Sequence, residues 1–256
     1  STCFNITASG VTLDCDGFTV EYANASSGYG VNITGVNSTV VKNCFFLKQN
    51  SSVQYASAIY QTLGNNSIFL NNTVNSTGNY SFGIDLRLSN FTNITNNRFN
   101  VSSNFSFAVG LGLSGLNNIT SNNVSTRGGN YGINLTGSLY NDVRGNNVTT
   151  NGTGGTTNAG GIYLTSTANN NSVVNNTVTT VGSGSDNYGI NLVTSSGNVV
   201  SGNTVTTNGT DSNAGIRLAT SANNNTVVNN TIRTGGSTVG NFGMYLSGTV
   251  SGNVVS

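Results

Sequence analysis

The sequence has no histidine, proline or tryptophan, and only 6% of its 256 residues are charged. A net charge of +1 without any basic cluster gives no electrostatic footprint for nucleic acid or an anionic membrane, so we expect neither partner. The sequence has no phosphate-binding loop, nucleophile elbow or metal-ligand spacing, and we predict no cofactor and no metal. It also has no apolar run long enough to span a bilayer, so we expect no membrane span in this segment.

The polar, glycine-rich composition is nevertheless compatible with a folded chain. Gly numbers 34, but 35% of residues are hydrophobic, and these are spread evenly along the sequence rather than gathered in blocks. Ordered structure is therefore plausible if the apolar residues recur at a regular spacing.

Internal repeats supply that spacing. One motif, a small residue followed by apolar-x-apolar, occurs as GVNI, GIDL, GLGL, GINL, GIYL, GINL, GIRL and GMYL. AIYQ at 58 is a degraded copy. A second motif follows each copy except the last, GMYL, with an Asn two places before an apolar residue, at Asn43, Asn72, Asn97, Asn122, Asn146, Asn176, Asn203 and Asn230. Apolar and polar residues alternate over three to five places around both motifs, which is typical of short strands.

A unit of about 27 residues with short strands cannot bury its own apolar face, whereas stacked units bury a continuous column. The repeats predict an all-β fold, a parallel β-helix of about nine turns in a rod about 40 Å long. Asn tolerates the left-handed bend that a sharp corner needs, and stacked Asn side chains hydrogen-bond along an axis. We therefore predict an Asn ladder at the eight corners.

We predict a single domain over residues 1–256, with an N-terminal turn or cap region at 1–29 and repeats at 30–256. The final SGNVVS repeats residues 196–201, so the sequence stops before another corner Asn and without a capping segment. An open solenoid end exposes apolar side chains and unpaired strand groups. We expect either a longer array or a second copy docked head-to-tail, which makes a filament.

The outward positions of the first strand read Asn32, Tyr60, Asp85, Gly112, Asn134, Tyr163, Asn191, Arg217 and Tyr245. Only one acid stands in this column, whereas cleavage of a glycosidic bond ordinarily uses two. We interpret Asp85 and Arg87 as an exposed salt bridge rather than a catalytic pair. Aromatic residues before the first motif alternate with small residues, which favours interdigitated packing over a sugar-binding stripe.

Three cysteines lie in the first fifth of the chain. An odd number allows one disulfide and one spare thiol, and we predict the pair Cys3 with Cys15. The alternative is three small, buried, reduced cysteines, and the state of Cys44 stays open.

The stretch VTLDCDGFTV at 11–20, with the repeats after it, resembles the right-handed parallel β-helix repeat of NosD-type and related archaeal and bacterial surface proteins. NosD-type proteins are associated with copper-enzyme maturation, but this chain has Met244 and no histidine for copper. Polysaccharide-cleaving relatives share the fold. Asp14 and Asp16, beside Gly17, fit a turn in the opening repeat better than a calcium site.

The many N-x-S/T motifs predict N-linked glycans on loops of a secreted protein, at Asn5, Asn24, Asn32, Asn37, Asn50, Asn79, Asn90, Asn104, Asn151 and Asn208. The function we expect from the sequence is a non-enzymatic, glycosylated, archaeal surface protein that builds an extracellular filament, sheath or coat. The alternative is a polysaccharide-binding or polysaccharide-cleaving β-helix.

Overall fold

Short strands separated by sharp bends wind the chain into a solenoid. The computed structural model describes residues 1–102, 105–128, 131–152, 160–237 and 240–256. Within these residues there are 29 strands, β1 to β29 in chain order, in three sheets, and no helix. The predicted all-β parallel β-helix of about nine turns is confirmed.

Successive turns contribute one strand to each sheet, which gives ten strands in sheets 1 and 2 and nine in sheet 3 among the described residues. Sheet 1 consists of β1 (Phe4–Ile6), β4 (Tyr29–Thr34), β7 (Ala56–Thr62), β10 (Ser81–Arg87), β13 (Phe107–Gly112), β16 (Tyr131–Thr136), β19 (Gly160–Thr165), β22 (Tyr188–Val193), β25 (Ala214–Ala219) and β28 (Phe242–Ser247). Sheet 2 consists of β2 (Thr12–Asp14), β5 (Val40–Lys42), β8 (Ile68–Leu70), β11 (Asn93–Thr95), β14 (Asn118–Thr120), β17 (Asp142–Arg144), β20 (Ser172–Val174), β23 (Val199–Ser201), β26 (Thr226–Val228) and β29 (Val254–Val255). Sheet 3 consists of β3 (Thr19–Glu21), β6 (Phe45–Lys48), β9 (Thr73–Thr77), β12 (Arg98–Ser102), β15 (Asn123–Arg127), β18 (Asn147–Gly152), β21 (Thr177–Gly182), β24 (Thr204–Gly209) and β27 (Thr231–Gly236).

The core is a set of apolar columns that run along the axis. Parallel pairing places Ile84 of β10 beside Val109 of β13, and Val109 beside Ile133 of β16, all fully buried. The inward residues of sheets 2 and 3 form equivalent columns, such as Ile94 beside Ile119. A turn therefore completes the burial of its apolar residues against the turns on either side of it, as the repeat length predicts.

Seven of the eight predicted corner residues form one ladder. In each step the side-chain Oδ1 of one Asn accepts hydrogen bonds of 2.9–3.1 Å from the backbone N–H and the Nδ2 of the Asn one turn earlier. The members are Asn72, Asn97, Asn122, Asn146, Asn176, Asn203 and Asn230. The bend itself falls one residue earlier, for example at Asn71 and Asn96, which have φ values of 55° and 56°.

Asn43 is the exception, and its assignment to the ladder is wrong. Asn43 occupies the bend, with φ of 55°, and its Nδ2 donates to Asp14 at 2.9 Å. The ladder position belongs to the next residue, Cys44, whose backbone N–H donates to Oδ1 of Asn72 at 3.1 Å. The sequence pattern is displaced here because a cysteine stands where the later turns have Asn.

The disulfide joins Cys15 to Cys44, so the predicted pair of Cys3 with Cys15 is wrong. Cys15 and Cys44 occupy the same corner in successive turns, which brings their Cα atoms to 4.7 Å, within the range that a disulfide needs. Cys3 is exposed and reduced, and its Sγ donates to the carbonyl of Glu21 at 2.8 Å. At this corner the disulfide replaces the first step of the ladder.

A second buried Asn ladder, which the repeat analysis missed, lies at the corner before sheet 2. The same pairing of side-chain oxygen with backbone N–H recurs from turn to turn at 2.8–3.0 Å. The members are Asn117, Asn141, Asn171, Asn198, Asn225 and Asn253. Each stands two places before an inward apolar residue of sheet 2, which is the spacing that marks the first ladder.

We expect Asn122→Ala to lower the free energy of unfolding by about 3 kcal/mol, because buried amide groups of Asn97 and Asn146 and the carbonyl of Ile94 lose partners. Asn123→Ala, at the exposed neighbouring position, is the matched control and should change it by no more than about 0.5 kcal/mol. Urea denaturation of both variants measures the difference. Equal losses would contradict a structural role for the ladder.

We expect Cys44→Ser to lower the free energy of unfolding by about 3 kcal/mol, because the 29-residue loop is no longer closed. Cys3→Ser should leave it unchanged, since Cys3 forms no disulfide. Non-reducing peptide mapping of the wild type should recover Cys15 linked to Cys44. Recovery of Cys3 linked to Cys15 would overturn this assignment.

Candidate functional site

The outer face of sheet 1 carries an axial column of side chains at the centre of each strand. Strand register places these residues one above another in the order Asn5, Asn32, Tyr60, Asp85, Gly110, Asn134, Tyr163, Asn191, Arg217 and Tyr245. We call this set the middle column. Its glycine is Gly110 rather than the predicted Gly112, because Val109 and not Leu111 pairs with Ile84.

Aromatic rings beside the middle column pack mainly against each other. The ring of Tyr131 stacks on that of Tyr163 one turn later, with centroids 4.3 Å apart, and Tyr29 stacks on Tyr60 at 4.5 Å. A β-carbon on Gly160 would lie 2.2 Å from Cδ1 of Tyr131. The small residues that alternate with the rings therefore make room for them.

The packing changes at β10 and β13, where a cavity of about 400 Å³ opens on the sheet. Phe82 and Phe107 both carry rings here, stacked with centroids 5.3 Å apart. The outward positions 110 and 112 of β13 are glycines, so no side chain covers the strand. This cavity is within the size range of small-molecule sites in proteins.

Asp85 lies in this cavity and is 9% exposed. Nε of Arg87 donates to its two carboxylate oxygens at 3.2 and 3.4 Å. The expected exposed salt bridge is thus only half correct, because the Arg87 side chain is 57% exposed and that of Asp85 only 12%. Neighbouring turns, distant in sequence, bury the carboxylate.

Burial raises the pKa of Asp85, and the positive charge and hydrogen bond of Arg87 offset part of that increase. A carboxyl group whose pKa is raised and which faces a cavity is suited to donate or accept a proton. Asp85 and Arg87 are the charged residues that line the cavity. A mechanism that needs two carboxylates within this cavity does not fit its lining.

The corners on either side of the cavity carry aromatic or aliphatic residues in the left-handed backbone conformation, all of them exposed except the half-buried Tyr80. Tyr80 and Phe105 stack at 5.3 Å on one side, with φ of 54° and 57°. Leu88 and Leu113 lie on the other, with φ of 48° and 51°. The left-handed conformation costs a non-glycine residue about 1–2 kcal/mol of conformational energy. Other turns have Gly137 and Thr194 at the corner equivalent to Leu88 and Leu113. The surface around the cavity is therefore distinctly apolar.

The acids near the N-terminus have a structural role, as expected. Oδ1 of Asp14 accepts from the backbone N–H of Asp16 at 3.1 Å, and Oδ2 of Asp14 pairs with Nζ of Lys42 at 3.0 Å. Hydrogen bonds from the side chains of Asn43 and Lys42 lower the pKa of Asp14 to about 2. Within the described ranges no three His, Cys, Asp or Glu residues come together as a metal site.

The predicted glycan acceptors differ in exposure. Exposed acceptors are Asn5, Asn24, Asn37, Asn151 and Asn208. Half-buried acceptors are Asn32, Asn50, Asn79 and Asn90, and Asn104 lies outside the described residues. The side-chain oxygens of Asn37 and Asn90 accept backbone hydrogen bonds at 2.8 and 2.7 Å. Glycosylation stays a prediction.

Residues 100–232 match the family described as the right-handed beta helix region. This match covers more than half of the sequence, and the chain belongs to that family. The right-handed fold is thereby confirmed, whereas the narrower NosD-type and archaeal assignments are not. Among curated proteins, none has a sequence that matches this chain.

Solved structures share the fold over most of the chain. The protein is similar to DFA-IIIase from Arthrobacter chlorophenolicus A6 in complex with GF2, with a TM-score of 0.59, 13% identity, and coverage of 91% of this chain and 64% of that one. It is also similar to the periplasmic alginate epimerase AlgG, with a TM-score of 0.50, 12% identity, and coverage of 89% and 60%. The chain thus spans less than two thirds of either, and such identities show the fold alone.

The expectation of a non-enzymatic protein is wrong on this comparison, because the two similar structures are those of enzymes. Neither supports the expected filament, sheath or coat, and head-to-tail association stays a prediction. None of the described residues forms a helix long and apolar enough to cross a membrane. The disulfide favours a location outside a reducing cytoplasm.

The pKa of Asp85 predicts how its substitution alters stability with pH. Because the folded-state pKa is raised, the folded protein binds this proton more tightly than the unfolded chain does. Stability associated with the proton is present below an ordinary Asp pKa of about 3.9 and is lost as pH rises through the folded-state pKa. Asp85→Asn should therefore become more stable relative to wild type as pH rises, in urea denaturation from pH 3 to 7. A difference that stays flat or falls would contradict the burial effect.

Proposed function

We propose that this protein binds a polysaccharide on the outer face of sheet 1 and acts on it at Asp85. The observation that carries the proposal is a largely buried carboxylate in a cavity on the outer face of the sheet, beside two stacked rings. Aromatic faces offer apolar contact to sugar rings, while a few polar groups fix the orientation of a ligand. The similar folds named DFA-IIIase and alginate epimerase support a carbohydrate ligand.

Asp85 serves as the group that transfers a proton. Burial favours its protonated form, and Arg87 holds the carboxylate in position through two hydrogen bonds. In cleavage the protonated carboxyl would donate to the glycosidic oxygen that leaves, as a general acid. The cavity lining holds one carboxylate, so the attacking group is water or a hydroxyl of the substrate. Its proton passes to the Asp85 carboxylate as the new C–O bond forms, which restores the acid.

An extracellular or cell-surface location is part of this proposal. The Cys15–Cys44 disulfide supports it, because disulfides persist in oxidising compartments. A polysaccharide substrate also supports an extracellular or cell-surface location, because a protein encounters such polymers outside the cytoplasm.

The test is a panel of polysaccharides, with dextran, xylan, galactan and inulin as neutral polymers and alginate and polygalacturonate as acidic ones. Binding is measured by titration calorimetry and products by mass spectrometry. We expect at least one polymer to bind and to be converted, and Asp85→Asn to bind within a few-fold of wild type while product formation falls about 100-fold or more. Phe107→Ala should weaken binding about tenfold.

Tyr140→Ala is the matched control, because it removes an exposed aromatic residue at another corner, away from the cavity. It should leave binding and product formation unchanged. If no polymer binds the wild type, or if Asp85→Asn retains full product formation, the proposed function is wrong.

A further inference from the structure

The cavity results from two missing side chains on one strand. Gly110 of β13 is paired with Asp85 of β10 and Asn134 of β16, and Gly112 is paired with Arg87 and Thr136. Both adjacent strands thus carry side chains at positions where β13 has none. The result is a slot that follows β13, with one strand on each side as its walls.

Neither glycine is required by the backbone, since neither has a left-handed φ. A β-carbon on Gly112 would find its nearest neighbour, Cγ of Arg87, 3.9 Å away, which is ordinary contact. On Gly110 the nearest atom would be Cδ2 of the Phe107 ring, at 3.3 Å, so the ring would have to shift by a few tenths of an ångström. By contrast, a β-carbon on Gly83 would lie 2.3 Å from the carbonyl oxygen of Ala108, which is backbone. Gly83 is needed for packing, whereas Gly112 accepts a side chain freely and Gly110 accepts one after a small movement of a side-chain ring.

The geometry of the slot sets the direction of its occupant. Strands are about 4.8 Å apart, so the strands on either side of β13 are about 10 Å apart, which is the width of one chain of rings. The slot runs from Phe107 to Leu113, about 20 Å at 3.3 Å per residue. Because it follows a strand, it crosses the solenoid axis at a steep angle instead of running along the axis.

The charges of the slot select the chemistry of its occupant. The charged groups of its lining are Asp85 and Arg87, and Nε of Arg87 is already engaged with Oδ2 of Asp85 at 3.2 Å. The same burial that disfavours the charged form of Asp85 disfavours a further carboxylate from a sugar acid at this place. The rest of the wall is largely apolar, with Phe82, Phe107, Leu88 and Leu113. Both features favour an uncharged ligand.

We propose that the slot over β13 binds a neutral oligosaccharide segment laid along the strand and across the solenoid axis, with Gly110 and Gly112 beneath it. The inference rests on the proposed function and specifies its substrate class and binding direction. Gly110 and Gly112 are specificity-determining positions, because the absence of their side chains admits the ligand.

The test refills the slot with the side chains that the adjacent turn already carries. Gly110→Asn copies Asn134, and Gly112→Thr copies Thr136. Each variant should weaken binding of the neutral polymer at least about tenfold. The melting temperature of Gly112→Thr should match or exceed that of wild type, because glycine weakens a strand interior and the new β-carbon meets no close atom. Gly110→Asn needs a small shift of the Phe107 ring and should melt near the wild-type temperature. Val193→Thr, at an outward position of β22 far from the slot, is the matched control and should bind as wild type does.

The same panel separates this inference from the function on which it rests. Binding of neutral polymers in clear preference to alginate and polygalacturonate, lost in folded Gly110→Asn and Gly112→Thr, supports it. Preferential binding of the acidic polymers, or undiminished binding by both refilled variants, overturns the slot assignment and leaves the proposed function standing. If no polymer binds the wild type, both proposals fail together.

Discussion

The structure depends on hydrogen bonds that run along the solenoid axis from each turn to the next. Parallel strand pairing supplies them in three sheets, and two ladders of buried Asn side chains supply them at the corners. Each ladder Asn satisfies its own amide group and the backbone N–H of its neighbour, which would otherwise be buried without partners at a bend. Because these hydrogen bonds hold the turns together, the outward side chains contribute to the fold mainly through contacts with their neighbours. A cavity can then be made by changing outward residues alone, and one lies over β13, where two outward side chains are absent.

Most of the fold could be predicted from the repeat. Motifs about 27 residues apart could be read directly, because each turn meets the same constraints as the one before it. The errors fall where one turn departs from the pattern. Cys44 occupies a ladder position that later turns give to Asn, so the prediction fell on Asn43. The motif around Gly110 has Ala108 where most other turns have glycine. The disulfide was missed because its two cysteines become neighbours only once the register of successive turns is fixed.

The candidate site was less predictable than the fold. Asp85 and Arg87 are two residues apart on a strand, which by itself predicts an exposed pair. The burial of Asp85 comes from Phe82 and from side chains of other turns such as Phe107 and Asn134, roughly 20 to 50 residues away in sequence. The slot could not be predicted either, because two glycines in a glycine-rich sequence indicate nothing until their neighbours on the adjacent strands are known. The aromatic residues next to small ones were correctly interpreted as packing, but Phe82 and Phe107 also border the cavity.

A crystal structure of the protein with a bound neutral oligosaccharide is the most direct measurement of the central claim. We expect sugar rings over Gly110 and Gly112, a sugar oxygen within hydrogen-bonding distance of the Asp85 carboxylate, and a ligand that follows β13. A ligand seated elsewhere on the solenoid, with the Asp85 cavity filled only by water, would contradict it.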